Sequence, residues 1–214
     1  MIKKIKASTS EKIILVFLIF LGVFSFSFYT IIKNKCLFIK NYNPNEIKFN
    51  KPENIAILNA PCGNVIIELY PSVSPNSVKR FKMLINSRSY NNNAFHRVIK
   101  KTLVQAGDLE FGNKNNLNYG KIGTGKSGHG TIKSELNISF KFLKGSVGLA
   151  KTFKNDTEDS QFFIILENEP LFEGEYTPVG KVLYGMEVLK KIKYLKNSEY
   201  VLRPDFINTF KMYK

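Results

Sequence analysis

The sequence predicts a mainly β domain, a closed antiparallel barrel with two helices, preceded by one transmembrane helix. Three observations indicate this arrangement. Residues 13–32 form an uncharged apolar run, many short apolar segments follow one another from residue 54, and only two segments have helical periodicity. Short strands at close spacing favour a closed barrel, because closure removes the exposed edges of an open sheet.

The uncharged run at residues 13–32 is long enough to cross the hydrocarbon core of a bilayer as a helix. A basic tail, residues 1–12, precedes it, so a cleaved signal peptide is the alternative. We favour an uncleaved anchor, because the run is longer than a usual signal peptide core and no small-x-small site follows it. The lysines before the run slightly favour a cytoplasmic N-terminus, which places the following domain outside the cytoplasm or in a secretory or organellar lumen.

Residues 33–53 mix charges, asparagines and two prolines without a sustained period, which predicts a linker or stalk. The folded domain is then predicted to span residues 54–214. Helical spacing of apolar residues occurs at 74–87, where Ser74 or Asn76 is available as a cap, and again at 186–195. Strands are predicted where short apolar runs lie between turn-forming residues, at 55–58, 64–70, 94–99, 102–108, 145–151, 160–166, 177–183 and 205–213.

The charge of the chain is strongly basic, with 32 Lys and Arg against 17 Asp and Glu and a formal net charge of +15. This excess is spread through the domain, and no arginine-rich stripe or aromatic-basic strand motif accompanies it. The sequence therefore predicts no nucleic-acid partner. A generally basic surface that faces anionic lipid head groups is the preferred interpretation.

The residue types that bind metals are scarce in this chain. Its two histidines, His96 and His129, have no cysteine or carboxylate beside them at ligand spacing, so no metal site is predicted. Cys36 and Cys62 either pair in an oxidising compartment or remain free thiols. Glycosylation sequons begin at Asn137 and Asn155, and they matter only in a eukaryotic secretory protein.

Residues 120–127, GKIGTGKS, match the phosphate-binding pattern G-x-x-x-x-G-K-[ST]. Such a loop leaves a buried strand and enters a helix whose N-terminus faces the phosphate. Here the polar stretch FGNKNNLNY precedes the loop and the glycine-containing stretch GHGTIKS follows it, and neither suits those elements. A flexible glycine loop is therefore favoured over a nucleotide site.

Five motifs follow one another along the domain: AFHRVI…QAGD (94–108), GTG (123–125), GSVGLAK (145–151), SQFF (160–163) and VGKVLYGMEVL (179–189). Together they resemble the cyclophilins, which are peptidyl-prolyl cis-trans isomerases, and the similarity covers the whole predicted domain. The resemblance implies an eight-stranded closed barrel capped by two helices, with a groove for proline on its outer face. It implies isomerisation of X–Pro bonds in polypeptide substrates, which assists protein folding and needs no cofactor.

The resemblance also assigns site residues. Arg97 matches the catalytic arginine, Gln161 binds the substrate backbone or steadies Arg97, and Phe163 forms the floor of the proline pocket. Phe162 is predicted to face the interior instead, because neighbours on a strand alternate. The other implied substrate-binding residues are His96, Thr102, Leu103, Gln105, Gly123, Thr124, Ala150, Lys151, Leu171 and Tyr176.

Several of these positions depart from the pattern of the family, among them Lys151, which stands in place of the usual Asn or Arg. Thr102 stands where an aromatic wall of the proline pocket is usual, which leaves two functions open. One is a membrane-tethered isomerase, and the other is a scaffold module that binds peptides with weakened catalysis. Leu171 occupies a position often held by a tryptophan that binds cyclosporin, and Tyr176 replaces the usual groove histidine, so weak cyclosporin affinity is expected.

Overall fold

The computed structural model describes residues 8–33 and 35–213, in two compact units. The first unit ends at Phe38 and contains the helix α1, Thr9–Lys33. An 18-residue window of α1 between Thr9 and Ile31 has a mean hydropathy of 2.4, and the large apolar side chains of this stretch are exposed. This length and composition suit either a membrane span or a signal sequence. The predicted basic tail falls largely on residues 1–7, outside the described residues.

The second unit begins at Ile39 and is built on one antiparallel sheet of eight strands. Each strand overlaps a segment that the apolar runs predict as a strand. The strands are β1 Ile55–Ala60, β2 Gly63–Leu69, β3 Arg97–Ile99, β4 Leu103–Ala106, β5 Ser146–Leu149, β6 Phe162–Ile165, β7 Pro178–Tyr184 and β8 Thr209–Met212. Their order across the sheet is β3-β4-β6-β5-β7-β2-β1-β8.

The interior of the curled sheet is filled by aromatic rings. The helix α2, Pro75–Asn86, presents Phe81 to the rings of Phe162 and Phe210, with centroid distances of 5.1 and 5.7 Å. Tyr90 is fully buried beside them and donates its hydroxyl hydrogen to the carbonyl of Ser160 at 2.8 Å. Phe162 therefore faces the interior, as strand alternation predicts.

The sheet is open between β3 and β8, so the predicted closed barrel is wrong in this respect. Irregular residues 199–207 fill the gap. The amide of Val98 donates to the carbonyl of Glu199 at 2.7 Å, and the amide of Val201 donates to the carbonyl of His96 at 2.9 Å. This segment satisfies the backbone groups at the free edge of β3, and β8 pairs only with β1.

The second predicted helix is much shorter than the periodicity of residues 186–195 suggests. The helix α3 spans only Met186–Leu189 and begins after Gly185, whose φ of +93° suits glycine. Ile192 is still buried, but the amide of Lys193 donates to the Asp205 carboxylate at 2.8 Å. This contact with a distant residue diverts the chain after the first turn.

Residues 39–53, predicted as part of a linker, belong to the second unit and pack against the rest of it. The side-chain carbonyl of Asn41 accepts a hydrogen bond from the Asn64 amide at 2.9 Å. The ring of Phe49 meets the ring of Tyr213 edge-on at 5.0 Å. The compact unit therefore includes 15 residues, 39–53, before the predicted domain start.

The N-terminus of α2 is capped from a distance. Ser74, one of the two predicted caps, instead donates its hydroxyl hydrogen to the carbonyl of Pro178. Glu135 supplies the cap, because its carboxylate accepts from the amide of Ser77 at 2.8 Å and from the amide and side chain of Asn76 at 3.1 and 3.0 Å. A carboxylate at a helix N-terminus satisfies free amides and complements the helix dipole.

The Glu135 cap makes the stability of the domain depend on pH. Burial alone would raise the pKa of Glu135, but the hydrogen bonds from Ser77 and Asn76 outweigh it and lower the pKa below its ordinary value. Since the pKa is lower in the folded state, the carboxylate stabilises the fold above the unfolded-state pKa. That contribution is lost as the pH falls through the folded-state pKa.

Glu135→Gln is therefore expected to lower the free energy of unfolding by about 1 kcal/mol at neutral pH, the usual size of a capping contribution. At a pH below both pKa values the variant and the native chain should unfold alike. Denaturation of the full chain in detergent at the two pH values checks this, with Glu167→Gln at an exposed position as the control. An equal loss of stability at both pH values would contradict the prediction.

Candidate active site

Residues from three neighbouring strands line a cavity of about 540 Å³. Arg97 on β3 pairs with Gln105 on β4, and Gln105 pairs with Phe163 on β6. Residues paired across strands point to the same face of a sheet, so these three side chains form one row. The row continues into β5 at Gly148, where a Cβ would lie 2.5 Å from the Phe163 ring. The missing side chain leaves room for that ring.

A chain of polar contacts holds the Arg97 guanidinium. Its Nε donates to Oε2 of Glu199 at 2.8 Å, and its Nη1 donates to Oε1 of Gln105 at 3.0 Å. Gln105 in turn donates to Oε1 of Gln161 at 3.0 Å. Gln161 completes the chain by donating to the carbonyls of Gly123 and Gly125 at 3.0 and 3.1 Å. The cation is therefore fixed in position while 30% of its side chain remains exposed.

An aromatic pocket forms the other end of the cavity. The ring of Phe163 meets Phe172 and Tyr176 edge-on, at centroid distances of 5.3 and 5.1 Å. Phe172 and Tyr176 lie 4.6 Å from each other. Leu103 and Ala150 add aliphatic surface to the same lining. A pocket of this kind suits a small apolar ring held beside a fixed cation.

The glycine loop at residues 120–127 is organised by carboxylates of the protein itself. Oδ2 of Asp108 accepts from the amides of Gly123 and Gly125, at 2.6 and 3.0 Å. The amide of Ser127 donates to Asp159 at 2.7 Å. These are the backbone donors that a phosphate-binding loop would direct at its ligand. Around the loop, the described residues 117–145 contain no helix and no strand, so the nucleotide site is not formed.

The acidic side chains of the cavity are bound to protein partners. Asp159 forms a salt bridge with Arg80 at 2.8 Å, and Glu199 forms one with Arg97. Among the residues that the structure describes, no three His, Cys, Asp or Glu side chains are grouped as ligands for a metal ion. What the cavity presents to a ligand is the Arg97 guanidinium beside an apolar pocket.

His96 lies behind the wall of the cavity and is almost completely buried. Burial lowers the pKa of His96, although nearby Asp108 opposes the effect. The imidazole is therefore neutral at physiological pH. Its Cδ2 lies 3.7 Å from the position that a Cβ at Gly123 would take, so the imidazole packs against the glycine loop.

The structure brings most of the predicted site residues together. Thr102 lies outside the cavity lining, in the turn between β3 and β4, where its amide donates to the carbonyl of Ile99 at 3.0 Å. Leu171 also lies outside, with 82% of its surface exposed, and His96 is buried behind the wall. The predicted residues that line the cavity are Arg97, Leu103, Gln105, Gly123, Thr124, Ala150, Lys151, Gln161, Phe163 and Tyr176.

Several cavity residues are absent from the sequence-based prediction. Phe172 packs on Phe163 and Tyr176, one residue beyond the predicted Leu171. Glu199 and Tyr200 reach the cavity from the irregular segment that covers the edge of β3. Phe172 could be found from its place in an aromatic-rich stretch, whereas Glu199 and Tyr200 belong to no periodic element or family motif.

Comparison with known families and relatives gives a consistent result. The family model described as cyclophilin type peptidyl-prolyl cis-trans isomerase/CLD matches residues 55–212. A probable peptidyl-prolyl cis-trans isomerase of Brucella suis is 40% identical over 149 residues, which cover 69% of this chain and 74% of that protein. A peptidyl-prolyl cis-trans isomerase of Acinetobacter baylyi is 33% identical over 143 residues, which cover 64% and 71% of the two chains.

Comparison with solved structures agrees with the sequence matches. A Cryptosporidium parvum cyclophilin type peptidyl-prolyl cis-trans isomerase, crystallised in the presence of the dipeptide Ala-Pro, superimposes with a TM-score of 0.65 at 25% identity. The match covers 75% of this chain and 99% of that one. The cyclophilin AquaCyp293 from Hirschia baltica, at 19% identity and a TM-score of 0.63, shares the fold.

Proposed function

Since this chain belongs to the cyclophilin-type peptidyl-prolyl cis-trans isomerase family, we propose that it isomerises X–Pro bonds in the cavity that contains Arg97. One observation carries the assignment of the site. A fixed guanidinium and an aromatic pocket share one open cavity, and Gln105 and Gln161 link the cation to the substrate-facing loop. The substrates are polypeptides that contain proline, and the reaction assists their folding.

The chemistry requires only that the enzyme stabilise the twisted amide more than it stabilises the planar amide. Amide resonance holds the X–Pro bond behind a barrier of about 20 kcal/mol. As the bond rotates, the resonance is lost and a lone pair develops on the prolyl nitrogen. A hydrogen bond from Arg97 to that nitrogen stabilises the twisted form, and a group that is already in place pays no reorganisation cost at that moment.

The aromatic pocket holds the proline ring while the bond turns. In this proposal Phe163 is the floor of the pocket, and Phe172 and Tyr176 are its walls. Lys151 lies 5.6 Å from the centre of the Tyr176 ring, so a cation borders this wall as well. Leu171 offers no aromatic surface inside the cavity, which supports weak cyclosporin affinity.

Exchange spectroscopy on a peptide with one Ala–Pro bond tests the proposed function. We expect the full chain in detergent to accelerate cis–trans exchange, which takes tens to hundreds of seconds without a catalyst. The same peptide with alanine in place of proline is the control for binding in the pocket. Binding without faster exchange would favour the scaffold module over the enzyme.

We also propose that α1 anchors the domain to a membrane, with the domain on the extracytoplasmic side. The helix has the length and hydropathy of a span, and the lysines that precede it in the sequence favour a cytoplasmic N-terminus. Cys36 and Cys62 are both disulfide-bonded, which is typical of an oxidising compartment. Protease digestion of sealed membranes is the measurement, and a domain digested from the cytoplasmic side would rule this topology out.

A further inference from the structure

We propose that Glu199 is a positioning residue for catalysis, because its carboxylate holds Arg97 in the orientation that meets the substrate. Its Oε2 accepts from Nε of Arg97 at 2.8 Å, and both residues line the cavity. The inference rests on the proposed role of Arg97. It adds a residue that lies in none of the five motifs and that is about a hundred positions from Arg97 in the sequence.

The backbone around Glu199 is anchored, which distinguishes this ion pair from a chance surface contact. Its carbonyl accepts from the Val98 amide at 2.7 Å, on the strand that carries Arg97. The next residue, Tyr200, forms a β-bridge with Arg97 itself. The hydroxyl of Ser198 fixes the turn, because it donates to the Tyr200 carbonyl at 3.0 Å. The segment that carries Glu199 is therefore hydrogen-bonded directly to the strand that carries Arg97.

The two acceptors fix the guanidinium from different sides. Glu199 binds Nε, and Gln105 binds one hydrogen of Nη1 at 3.0 Å. These bonds leave three of the five guanidinium hydrogens uncommitted to either acceptor. A free arginine side chain loses much rotamer freedom when it binds, and an arginine that is already fixed loses less. Glu199 thus prepares the cation before the substrate arrives.

The opposite role for Glu199 is that of a competitor of the substrate, because its carboxylate occupies a hydrogen-bond donor of the Arg97 guanidinium. In that case removal of the carboxylate would free Arg97 and raise kcat. The exposure of the pair decides between the roles, because 52% of the Glu199 side chain and 30% of the Arg97 side chain are solvent-accessible. Water screens such a pair, so its attraction is modest and the carboxylate competes only weakly with a substrate.

Kinetics of three variants of the full chain in detergent test the inference. Glu199→Ala is expected to lower kcat about fivefold with little change in KM, since exposed ion pairs contribute up to about 1 kcal/mol. Glu199→Gln keeps an oxygen that accepts from Nε and should stay within about twofold of the native chain. Glu187→Ala is the matched control, because Glu187 forms a similar exposed pair with Lys190 at 2.9 Å.

Nitrogen-15 labelling of arginine reports directly on the contact between Glu199 and Arg97, through the exchange of the Arg97 Nε–H with water. The chain has four arginines, so the Nε–H signal of Arg97 can be assigned by comparison with Arg97→Lys. We expect this signal to be protected from exchange with water in the native chain and in Glu199→Gln, and to be lost in Glu199→Ala. Protection retained in Glu199→Ala, or a native or raised kcat for that variant, would overturn the inference.

The kinetics of Arg97→Ala, measured beside these variants, separate this inference from the proposed function. If Arg97→Ala keeps native activity, the catalytic role of Arg97 fails and Glu199 has nothing to position. If Arg97→Ala is inactive while Glu199→Ala has native kinetics, the function stands and only the positioning role fails. A slower Glu199→Ala together with a nearly native Glu199→Gln supports both.

Discussion

Arg97→Ala is expected to lower kcat/KM for an Ala–Pro peptide by about 10²–10³-fold, the usual effect of removing one donor from a developing charge. The proposed hydrogen bond reaches the prolyl nitrogen only when the amide has twisted and its lone pair has formed. An interaction that exists only in the transition state contributes to kcat, whereas one present throughout contributes to KM. The loss should therefore fall on kcat, and peptide binding in the aromatic pocket should persist.

Exchange rates measured over a range of peptide concentrations separate the two parameters. Lys144→Ala is the control, because it removes one positive charge from an exposed residue that does not line the cavity. Arg97→Lys keeps the charge but has no planar fork, so we expect activity between those of the native chain and the alanine variant. A kcat of Arg97→Ala within about threefold of the native value would contradict the proposed mechanism.

Phe162→Ala is expected to lower the free energy of unfolding by about 3–5 kcal/mol, as truncations of fully buried aromatic residues do. Phe162 is completely buried, and its ring contacts Phe81, Tyr90 and Phe210 at centroid distances of 5.1, 5.3 and 5.9 Å. The four rings contact one another, so the three that remain cannot easily move into the space left by Phe162. The variant therefore keeps a cavity whose lining loses dispersion contacts.

Phe163→Ala is the matched comparison, one position along the same strand. Its ring borders the candidate active-site cavity, so we expect truncation to widen this cavity and to destabilise the domain less. We expect Phe163→Ala mainly to raise KM and Phe162→Ala mainly to lower stability, with native kcat in its folded fraction. Guanidinium denaturation followed by near-UV circular dichroism reports the domain, since the chain has tyrosines but no tryptophan. Equal stability losses would contradict the expected difference between the two positions.

The sequence predicts the strands well, because each has a short apolar run between turn residues. It fails at closure and at the second helix for one physical reason. The segment that covers β3 is irregular, and its bonds run from Glu199 and Val201 to residues about a hundred positions away. The bond from Lys193 to Asp205 likewise ends α3 against its own periodicity. Contacts between distant segments leave no trace in a local pattern.

The candidate active-site cavity is predictable where its residues lie in ordered motifs. Arg97, Gln161 and Phe163 fall in such motifs, and the structure places all three around one cavity. Glu199 was not predictable, because a lone glutamate in a polar stretch resembles any solvated charge. The glycine loop shows the converse, since its pattern fits a phosphate site but Asp108 accepts the backbone hydrogen bonds.

The first and last strands of the domain lie side by side in the sheet, where Ala56 pairs with Met212 and Asn59 with Thr209. During synthesis β1 leaves the ribosome long before β8, and its edge lacks this partner in the interval. Joining the two ends also closes the longest loop in the domain, which slows folding. The native sheet is therefore completed only after β8 has left the ribosome. A chain truncated before Thr209 would expose β1 as a template for association with other chains.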